Sequence, residues 1–312
     1  MQILYWPIDT DLKIEAENNY RTNFALKLVE KDPLTIIRNL TFDGVVPNIK
    51  IKDIENLLSF IEFKFLNKCL AGVGLELGAG PAVFSSILAR RSEIYKMYAV
   101  EICQSVVEVL APKIVTAIAG PKASKVICCV GDFNRLAIPD QSVDFIFDFF
   151  SLHHSYNPTL TLRESYRVLK KGGFILALDK ARPDYLTNGD IERLLDKEYD
   201  GDFKKRFCLS LDKKLTRQEN GEKEYRLREW RYFFAKSGFK NFFCFNLDKC
   251  IGPLPLRFIK SGLAKLPVSL QVKLTPFLPR KNQFGELSKK NRIFSPILNS
   301  FRKEMSLMIA YK

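Results

Sequence analysis

The octapeptide GLELGAGP, residues 74–81, limits the folds open to this chain more than any other stretch. The alternating apolar residues of 73–77 predict the end of a buried strand, which Gly78-Ala79-Gly80 breaks into a turn. Pro81 is expected at the first position of a helix, where the missing amide hydrogen costs nothing. A strand, a glycine turn and a helix make the half-site with which α/β sheets hold nucleotide-like ligands.

The second predicted strand ends in an acid, which restricts the class of ligand that the site can bind. YKMYAVE (95–101) ends at Glu101, and a carboxylate there can accept hydrogen bonds from both hydroxyls of a ribose. NAD also presents a ribose, but its fingerprint needs a glycine three residues after Gly80, where Val83 stands. A lone Gly-x-Gly is often only a tight turn, so the ligand class depends on the wider pattern.

The segments beyond Glu101 alternate between helix and strand signals. They are a helix at 105–118, strands at 125–130 and 142–147, a helix opened by Asn157-Pro158 and ended by Gly172-Gly173, and a strand at 174–178. This alternation predicts an α/β fold with a doubly wound parallel sheet. Residues 1–69 carry helical signals instead, with Asp53 as the predicted N-cap of an amphipathic helix and a weaker helix at 20–30.

The composition bounds the class of protein. The 312 residues suffice for one large α/β domain with insertions. The seven cysteines show no CxxC or Cys/His spacing, so we expect reduced thiols, no metal and a cytoplasmic protein. No apolar run reaches the roughly 18 residues of a membrane span, and the start, MQILYWPIDTD, lacks the pattern of a secretory signal.

The positive charge is concentrated towards the C-terminal end. Residues 251–312 hold 12 lysines and arginines against 2 acids, which accounts for +10 of the net charge of +14. Between 251 and 280, basic residues alternate with apolar clusters, and prolines prevent a long helix. We expect peripheral contact of 251–303 with an anionic membrane, or with a lipid-linked acidic acceptor. The alternative is a small accessory core with solvated lysines.

Six segments resemble, in order, the motifs of the class I S-adenosylmethionine-dependent methyltransferases. They are LELGAGP (75–81), YAVE (98–101), VGDFNRLAIPDQSVDFIF (130–147), HH…ESYRVLKKGGFILALD (153–179), EWRYFFAKSGFKNFFCF (229–245) and SLMIAYK (306–312). The resemblance implies a Rossmann-like seven-stranded sheet with an antiparallel seventh strand, and S-adenosylmethionine as cofactor. Ala82 stands where the family has a third glycine.

The resemblance also implies a division of the chain. The methyltransferase core is expected at 70–248 plus 303–312, behind a helical region at 1–69 that packs on it. The insert at 180–225 and the basic accessory lobe at 249–302 are longer than the family's usual connections. Because loops leaving the carboxyl ends of strands line the ligand crevice, we expect the inserts to cover the acceptor side of the site.

The resemblance assigns cofactor roles to residues at the strand ends. The residues it implies are Glu76, Gly78, Ala79, Gly80, Glu101, Ile102, Asp132, Phe133 and Asp148. Glu76 would orient the glycine turn and the aminoacyl end of the cofactor, and Glu101 would hold the ribose. Asp132 would accept a hydrogen bond from the adenine amino group, with Ile102 and Phe133 beside the base.

The candidates for catalysis follow the fourth strand of the family pattern. Asp148 lies just past that strand, and His153 and His154 come in the same loop. Methyl transfer is an in-line displacement that needs alignment and removal of the acceptor's proton, and histidine suits a general base. The competing interpretation is that the histidine pair merely caps or packs at the start of a helix.

Three hypotheses about function remain open. The first is methyl transfer to an oxygen of a small-molecule or lipid-linked acceptor. The second is an RNA or other nucleic-acid methyltransferase that binds phosphates through its basic region. DFFS (148–151) does not match the [Asn/Asp]-Pro-Pro-aromatic loop of nucleobase enzymes, and YRLREWRYFF (225–234) predicts an amphipathic helix rather than a base-stacking surface. The third is a non-catalytic interaction subunit.

Overall fold

An eight-stranded sheet forms the centre of the computed structural model, which describes residues 1–19, 27–42, 46, 48–207, 209–246 and 305–312. The strands are β1 (Gln2–Tyr5), β2 (Gly72–Leu77), β3 (Ile94–Glu101), β4 (Val126–Val130), β5 (Val143–Phe149), β6 (Leu169–Asp179), β7 (Asn241–Asn246) and β8 (Ser306–Tyr311). Their order is β1-β4-β3-β2-β5-β6-β8-β7. The strands from β1 to β6 pair in parallel, and β8 lies antiparallel between β6 and β7.

Helices cover both faces of this sheet. They are α1 (Thr10–Asn19), α2 (Pro33–Ile36), α3 (Ile51–Ile61), α4 (Val83–Ala89), α5 (Ala111–Ala119), α6 (Pro158–Val168), α7 (Asn188–Leu195), α8 (Gly201–Arg206) and α9 (Leu227–Lys236). Short π-helical turns follow α2 and α3 and precede α5, and a 3-10 turn holds Leu152–His154.

Alternation along the central strands separates two apolar cores. In β5, Phe145 and Phe147 join a core with α3 and α4, whereas Ile146 joins the opposite core with α6 and α9. Successive side chains of a strand point to opposite faces, so a strand buried on both sides needs an apolar residue at nearly every position. The predicted doubly wound α/β class and the antiparallel insertion of 306–311 are confirmed.

The N-terminal strand was not expected from the sequence. We predicted seven strands and a helical region at 1–69, but Gln2–Tyr5 pairs in parallel with β4, from Gln2 opposite Ile127 to Tyr5 opposite Val130. Four residues are too few to display a period of two, and the strand forms because β4 offers an unpaired edge. The remainder of the described N-terminal region is helical, with α3 packed on the sheet.

Two predicted boundaries were also wrong. Asp53 is not the N-cap of α3 but its third residue, and its Oδ2 accepts a hydrogen bond from the Lys50 amide at 2.9 Å. Gly172-Gly173 does not end α6, since the chain passes directly from Val168 into β6. The start of α6 is as predicted: Asn157 caps it by accepting from the Leu160 amide at 3.1 Å, and Pro158 is its first residue.

Some predictions concern segments outside the described residues. The basic lobe at 249–302 lies there, as does most of the predicted helix at 20–30. Within the described ranges, no helix is both long and apolar enough to cross a membrane.

Candidate active site

A cavity lies at the carboxyl ends of β2 and β5, where the order of the sheet changes direction. The described residues that line it are Leu40, Thr41, Glu76, Gly78, Ala79, Gly80, Pro81, Phe84, Phe149, Phe150, His154, Tyr199, Phe203, Phe207, Asn220 and Glu222. Open α/β sheets bind ligands at such a switch point. The cavity therefore joins the predicted glycine turn to one of the predicted histidines and to the first insert.

The backbone of the glycine turn needs residues without a side chain. Gly78 has φ of +54°, and a Cβ there would come within 2.3 Å of the Ser151 Cβ. Gly80 has φ of +49°, and a Cβ there would meet nothing within 4 Å, so it faces open space. Ala82 also adopts a left-handed conformation with φ of +61°, and α4 begins only after it. Pro81 is thus part of the turn and not the first residue of the helix.

Glu76 ties the turn to the helix that follows. Its Oε2 accepts hydrogen bonds from the Ser85 amide at 2.7 Å and from the Ser85 hydroxyl at 2.5 Å. Burial raises the pKa of Glu76 to about 7, although the Ser85 hydrogen bonds lower it. This carboxyl lines the cavity beside Gly78 and can present its second oxygen to a ligand.

The next two strand ends carry the predicted nucleoside acids. The buried Glu101 accepts hydrogen bonds from the Gly80 amide at 2.9 Å and the Cys103 amide at 2.9 Å, and burial raises its pKa. Asp132 Oδ1 accepts from the Asn134 amide at 2.8 Å and from Asn134 Nδ2 at 2.7 Å. Ile102 and Phe133, each next to one of these acids, are half-buried.

These residues fit S-adenosylmethionine. The open space beside Gly80 admits a ligand where a side chain would fill the turn. Neighbouring strands β2, β3 and β4 place Glu76, Glu101 and Asp132 in a row along one edge. An acid beside the turn suits the amino group of the methionyl end, and the amides at the start of α4 suit its carboxylate. The assignment of each acid to one part of the cofactor stays a prediction.

His153 lies in a buried network of charged groups. Its Nδ1 is 2.6 Å from Asp179 Oδ1, and its amide donates to Asp179 Oδ2 at 2.9 Å. Its Nε2 is 3.4 Å from Glu222 Oε2 and 3.3 Å from Lys180 Nζ. Burial alone would lower the pKa of His153, but the Asp179 charge and hydrogen bonds to Asp179 and Glu222 raise it to about 9. His153 is therefore an imidazolium at neutral pH.

His154 lines the cavity in the neutral form. Its Nδ1 is 3.0 Å from the Gly221 carbonyl oxygen, an acceptor, so Nδ1 carries the hydrogen and Nε2 keeps its lone pair. Burial, followed by the charge of His153, lowers the pKa of His154 to about 3. Of the two histidines, His154 is the one that reaches the cavity.

Three potential metal ligands meet at this point. One ligand atom each from His153, His154 and Glu222 lies within 4.8 Å of the others. The Lys180 ammonium also contacts Glu222 and is only 5% exposed. A buried ammonium in contact with two of the three groups supplies the positive charge that a metal would bring.

Asp148 is wholly buried behind the cavity and does not appear among the described residues that line it. The Ser151 hydroxyl contacts Asp148 Oδ1 and the Leu77 carbonyl, the latter at 2.9 Å. Burial and the charge of Asp179 raise the pKa of Asp148 well above its usual range. A protonated Asp148 can therefore donate to Ser151, while Ser151 donates to Leu77.

Several residues of the site were missed in the sequence. Asp179 could have been found, because an acid directly after the apolar run of β6 marks another strand end at this edge. No pattern in the sequence around Glu222 marks it as a site residue, because only the fold of the insert brings it close to His153. Tyr199, Phe203 and Phe207 had the spacing of ordinary packing residues, and Tyr199 and Phe203 stack with their planes 11° apart.

This sheet order, with an acidic glycine turn and acids at the next two strand ends, is the arrangement that the resemblance to the class I S-adenosylmethionine-dependent methyltransferases predicts. Residues 75–177 match the family model described as "Methyltransferase domain". The chain thus contains a methyltransferase domain whose cofactor is S-adenosylmethionine.

The chain is similar to several solved structures. The chain is 14% identical to Haemonchus contortus phosphoethanolamine N-methyltransferase 2 in complex with S-adenosyl-L-methionine, over 83% of this chain and 52% of that one, with a TM-score of 0.48. It is 19% identical to the YcgJ protein of Bacillus subtilis, over 83% and 98% of the two chains, with a TM-score of 0.45. It is 14% identical to the [4+2]-cyclase SpnF, over 83% of this chain and 81% of that one, with a TM-score of 0.48. A search of the curated proteins found no match.

Proposed function

We propose that this chain transfers the methyl group of S-adenosylmethionine to an oxygen atom of a small-molecule or lipid-linked acceptor. The observation that carries the proposal is a single cavity shared by Gly78–Gly80 and His154. The glycine turn binds the methionyl end of the cofactor in this family, and a neutral imidazole that lines the same cavity can accept a proton. This arrangement supports both requirements of an in-line methyl transfer, alignment and removal of the acceptor's proton.

The residues of the chain divide the work as follows. Glu76 and the glycine turn hold the aminoacyl end of the cofactor, and Glu101 and Asp132 hold its nucleoside. When bound, S-adenosylmethionine supplies a methyl group activated by a sulfonium. His154 accepts the proton of the acceptor hydroxyl at Nε2, while the Gly221 carbonyl fixes the tautomer. The aromatic side chains of the insert exclude water.

The buried face of α9 argues against a nucleic acid as the methyl acceptor. Trp230 and Phe234 are fully buried, and Trp230 Nε1 donates to the Lys180 carbonyl at 2.7 Å. These rings are therefore unavailable for stacking on bases. The same hydrogen bond joins α9 to the chain leaving β6.

The cofactor assignment predicts that Gly80→Arg abolishes binding of S-adenosylmethionine. The new side chain would fill the open space beside the turn, and calorimetry should show affinity reduced at least 100-fold. Gly120→Arg is a matched control, because Gly120 has φ of +53° and also has nothing within 4 Å of a Cβ. The assignment fails if both variants bind equally well.

The proposed base predicts that His154→Gln slows methyl transfer by about 10²- to 10⁴-fold without weakening cofactor binding. The measurement uses S-adenosylmethionine labelled in its methyl group and the small-molecule and lipid extract of a deletion strain, which accumulates the unmethylated acceptor. Calorimetry with S-adenosylmethionine controls for folding. A variant rate within threefold of wild type would exclude His154 as the base.

A further inference from the structure

Part of the lining of the cavity that holds the glycine turn is aromatic. Phe149 and Phe150 come from the end of β5, and Tyr199, Phe203 and Phe207 come from the insert. The rings of Tyr199 and Phe203 stack at 3.9 Å, and Phe203 and Phe207 are 4.7 Å apart. Two elements distant in sequence thus contribute rings to one space.

The backbone at Phe150 is strained in a way that directs its ring. Phe150 has φ of +54°, a region that bulky residues rarely adopt. Its amide donates to the Leu178 carbonyl at 2.9 Å, which holds the strained residue against β6. The ring lies 5.3 Å from Phe149 and 6.4 Å from His153. Strain of this kind is typical of positions where a side chain has to face a ligand.

The polar groups of the same wall offer no cation to a ligand. Among the described residues that line the cavity, none is a lysine or an arginine. Lys180 is near, but its ammonium is 5% exposed and contacts Glu222. A phosphate or carboxylate placed here would lose its hydration without gaining a charged partner. An anion is therefore disfavoured in the part of the acceptor that enters the cavity. Glu222, an acid of the lining, is already paired with Lys180, so a cation would find little uncompensated charge there and an uncharged group fits best.

His154 lines the cavity, and with Nδ1 bound to the Gly221 carbonyl its Nε2 carries the lone pair that can accept a proton. A neutral imidazole takes a proton more readily from a phenol, whose pKa is near 10 in tyrosine, than from an aliphatic alcohol, which is a much weaker acid. Aromatic walls also favour a flat ring over an aliphatic one, because ring pairs gain beyond the area they bury.

We propose that the acceptor is an uncharged hydroxylated aromatic ring that packs against Phe150, Tyr199 and Phe203 and presents its phenolic hydroxyl to His154. This inference rests on the proposed function. In the transfer step the O–H bond breaks and its proton passes to His154 Nε2. An oxygen lone pair forms the new O–CH3 bond as the S–CH3 bond breaks, and that bond's electron pair stays on sulfur. The products are an aryl methyl ether, S-adenosylhomocysteine and a proton released to water.

The experiment compares three probes with the full-length protein saturated with S-adenosylhomocysteine. The probes are 2-naphthol, its saturated counterpart decahydro-2-naphthol, and 6-hydroxy-2-naphthoate, which adds a negative charge. Calorimetry should show 2-naphthol binding at least tenfold tighter than either of the others. A parallel assay with labelled S-adenosylmethionine should yield the methyl ether of 2-naphthol, and no ether of decahydro-2-naphthol.

Variants connect this preference to the aromatic wall. Phe203→Leu should weaken 2-naphthol binding at least tenfold and leave S-adenosylhomocysteine binding unchanged, which also shows that the variant folds. Tyr232→Leu is the control, since Tyr232 is an exposed aromatic residue on α9 that does not line the cavity. It should change neither affinity.

The outcomes separate this inference from the function on which it rests. Equal affinity for 2-naphthol and decahydro-2-naphthol, or no effect of Phe203→Leu, would overturn the aromatic acceptor. Faster transfer to an aliphatic alcohol or an amine would overturn it too, but would leave methyltransferase activity intact. Selective binding of 2-naphthol with no methyl transfer to any extract or probe would overturn the transfer step and the proposed function together.

Discussion

Two adjacent imidazoles in this site, those of His153 and His154, have pKa values shifted in opposite directions. Buried beside Asp179 and Glu222, His153 has a pKa raised to about 9, whereas burial and the neighbouring positive charge lower that of His154 to about 3. The rings are 4.1 Å apart, so the charge on one helps to keep the other neutral. The pair thus keeps His153 charged and His154 neutral over a wide pH range, although the same lowering of the pKa makes His154 a weaker base.

This difference predicts how His153→Gln changes stability with pH. The pKa of His153 is higher in the folded protein than the ordinary value of 6.5, so its stabilising contribution is complete below pH 6.5 and is lost as the pH rises through about 9. The gap in unfolding free energy between wild type and variant should therefore narrow between pH 6.5 and 9. Urea unfolding at intervals across this range measures the gap.

His154→Gln is the control for that measurement. The folded pKa of His154 lies below 6.5, so its contribution is present above pH 6.5 and is lost as the pH falls towards 3. The gap between wild type and this variant should stay constant from pH 6.5 to 9. A constant gap for His153→Gln as well would mean that His153 is not an imidazolium.

Single residues were predicted from the sequence where a local pattern defines them. Gly78 and Gly80 belong to a contiguous motif, and Asn157 and Pro158 have the usual order of a helix start. Asp53 was wrongly predicted as an N-cap. An acid at the N-cap and an acid at the third helical position both stand just before the apolar residues of the helix, so the sequence does not distinguish them. The burial of Asp148 depends on the packing of several strands and helices, which no local pattern contains.

Among the elements, the first insert is joined to the sheet by buried charges. Lys180 at the end of β6 contacts Glu222, which also lies 3.4 Å from His153 and 3.6 Å from Arg217. Arg182 and Glu224, each two residues further along the chain, form a second ion pair, in which Arg182 Nη2 is 2.8 Å from Glu224 Oε1. These contacts hold the insert over the cavity.

We therefore predict that Glu222→Gln destabilises the protein by roughly 3 kcal/mol, because it leaves the buried Lys180 ammonium without its partner. Urea unfolding gives the value. Replacing both groups, as Lys180→Met with Glu222→Leu, should recover most of the loss, since no buried charge is then left unpaired.

An exposed ion pair in the same insert provides the comparison. Arg193 Nη2 is 2.5 Å from Asp190 Oδ1, and the two side chains are 77% and 31% exposed. Arg193→Gln should cost little stability, because water and salt screen an exposed ion pair. If Glu222→Gln costs no more than this, the buried network does not hold the insert.

The elements that the sequence predicted are those with a strong period or clear ends. The parallel strands of the core are apolar at nearly every position and stand between turn residues, so their order followed from the chain. The strand Gln2–Tyr5 has no such signal, and its existence depends on the free edge of β4. The insert's position followed from topology, but its contacts with His153 and His154 did not.

At the scale of the whole molecule, the charge is unequally distributed. Of the net charge of +14, +10 lies after residue 250. The segment 251–303 lies wholly outside the described residues, so the expectation that it binds an anionic membrane comes from its sequence alone. Each basic residue near such a surface contributes about 1 kcal/mol, reduced by salt.

We predict that the protein co-sediments with vesicles containing phosphatidylserine and not with neutral vesicles, and that raised salt releases it. Changing Lys260, Lys265 and Lys273 to Glu should abolish the binding. The matched control changes the exposed Lys52, Lys122 and Lys171 to Glu, which alters the net charge equally and should leave most of the binding. Equal recovery with both kinds of vesicle would contradict the prediction.

The position of β8 has a consequence for the order in which this protein is made. β8 separates β6 from β7, although it follows β7 in the chain only after residues 247–305. During synthesis β6 and β7 therefore leave the ribosome without the strand that will join them, each with an unpaired edge. Domains commonly fold from the N-terminal side as they are made, but this sheet cannot close until that long stretch has been translated. Until β8 is available, the unpaired edges of β6 and β7 can pair with other strands, so chaperones that cover strand edges would be needed during this stage of synthesis.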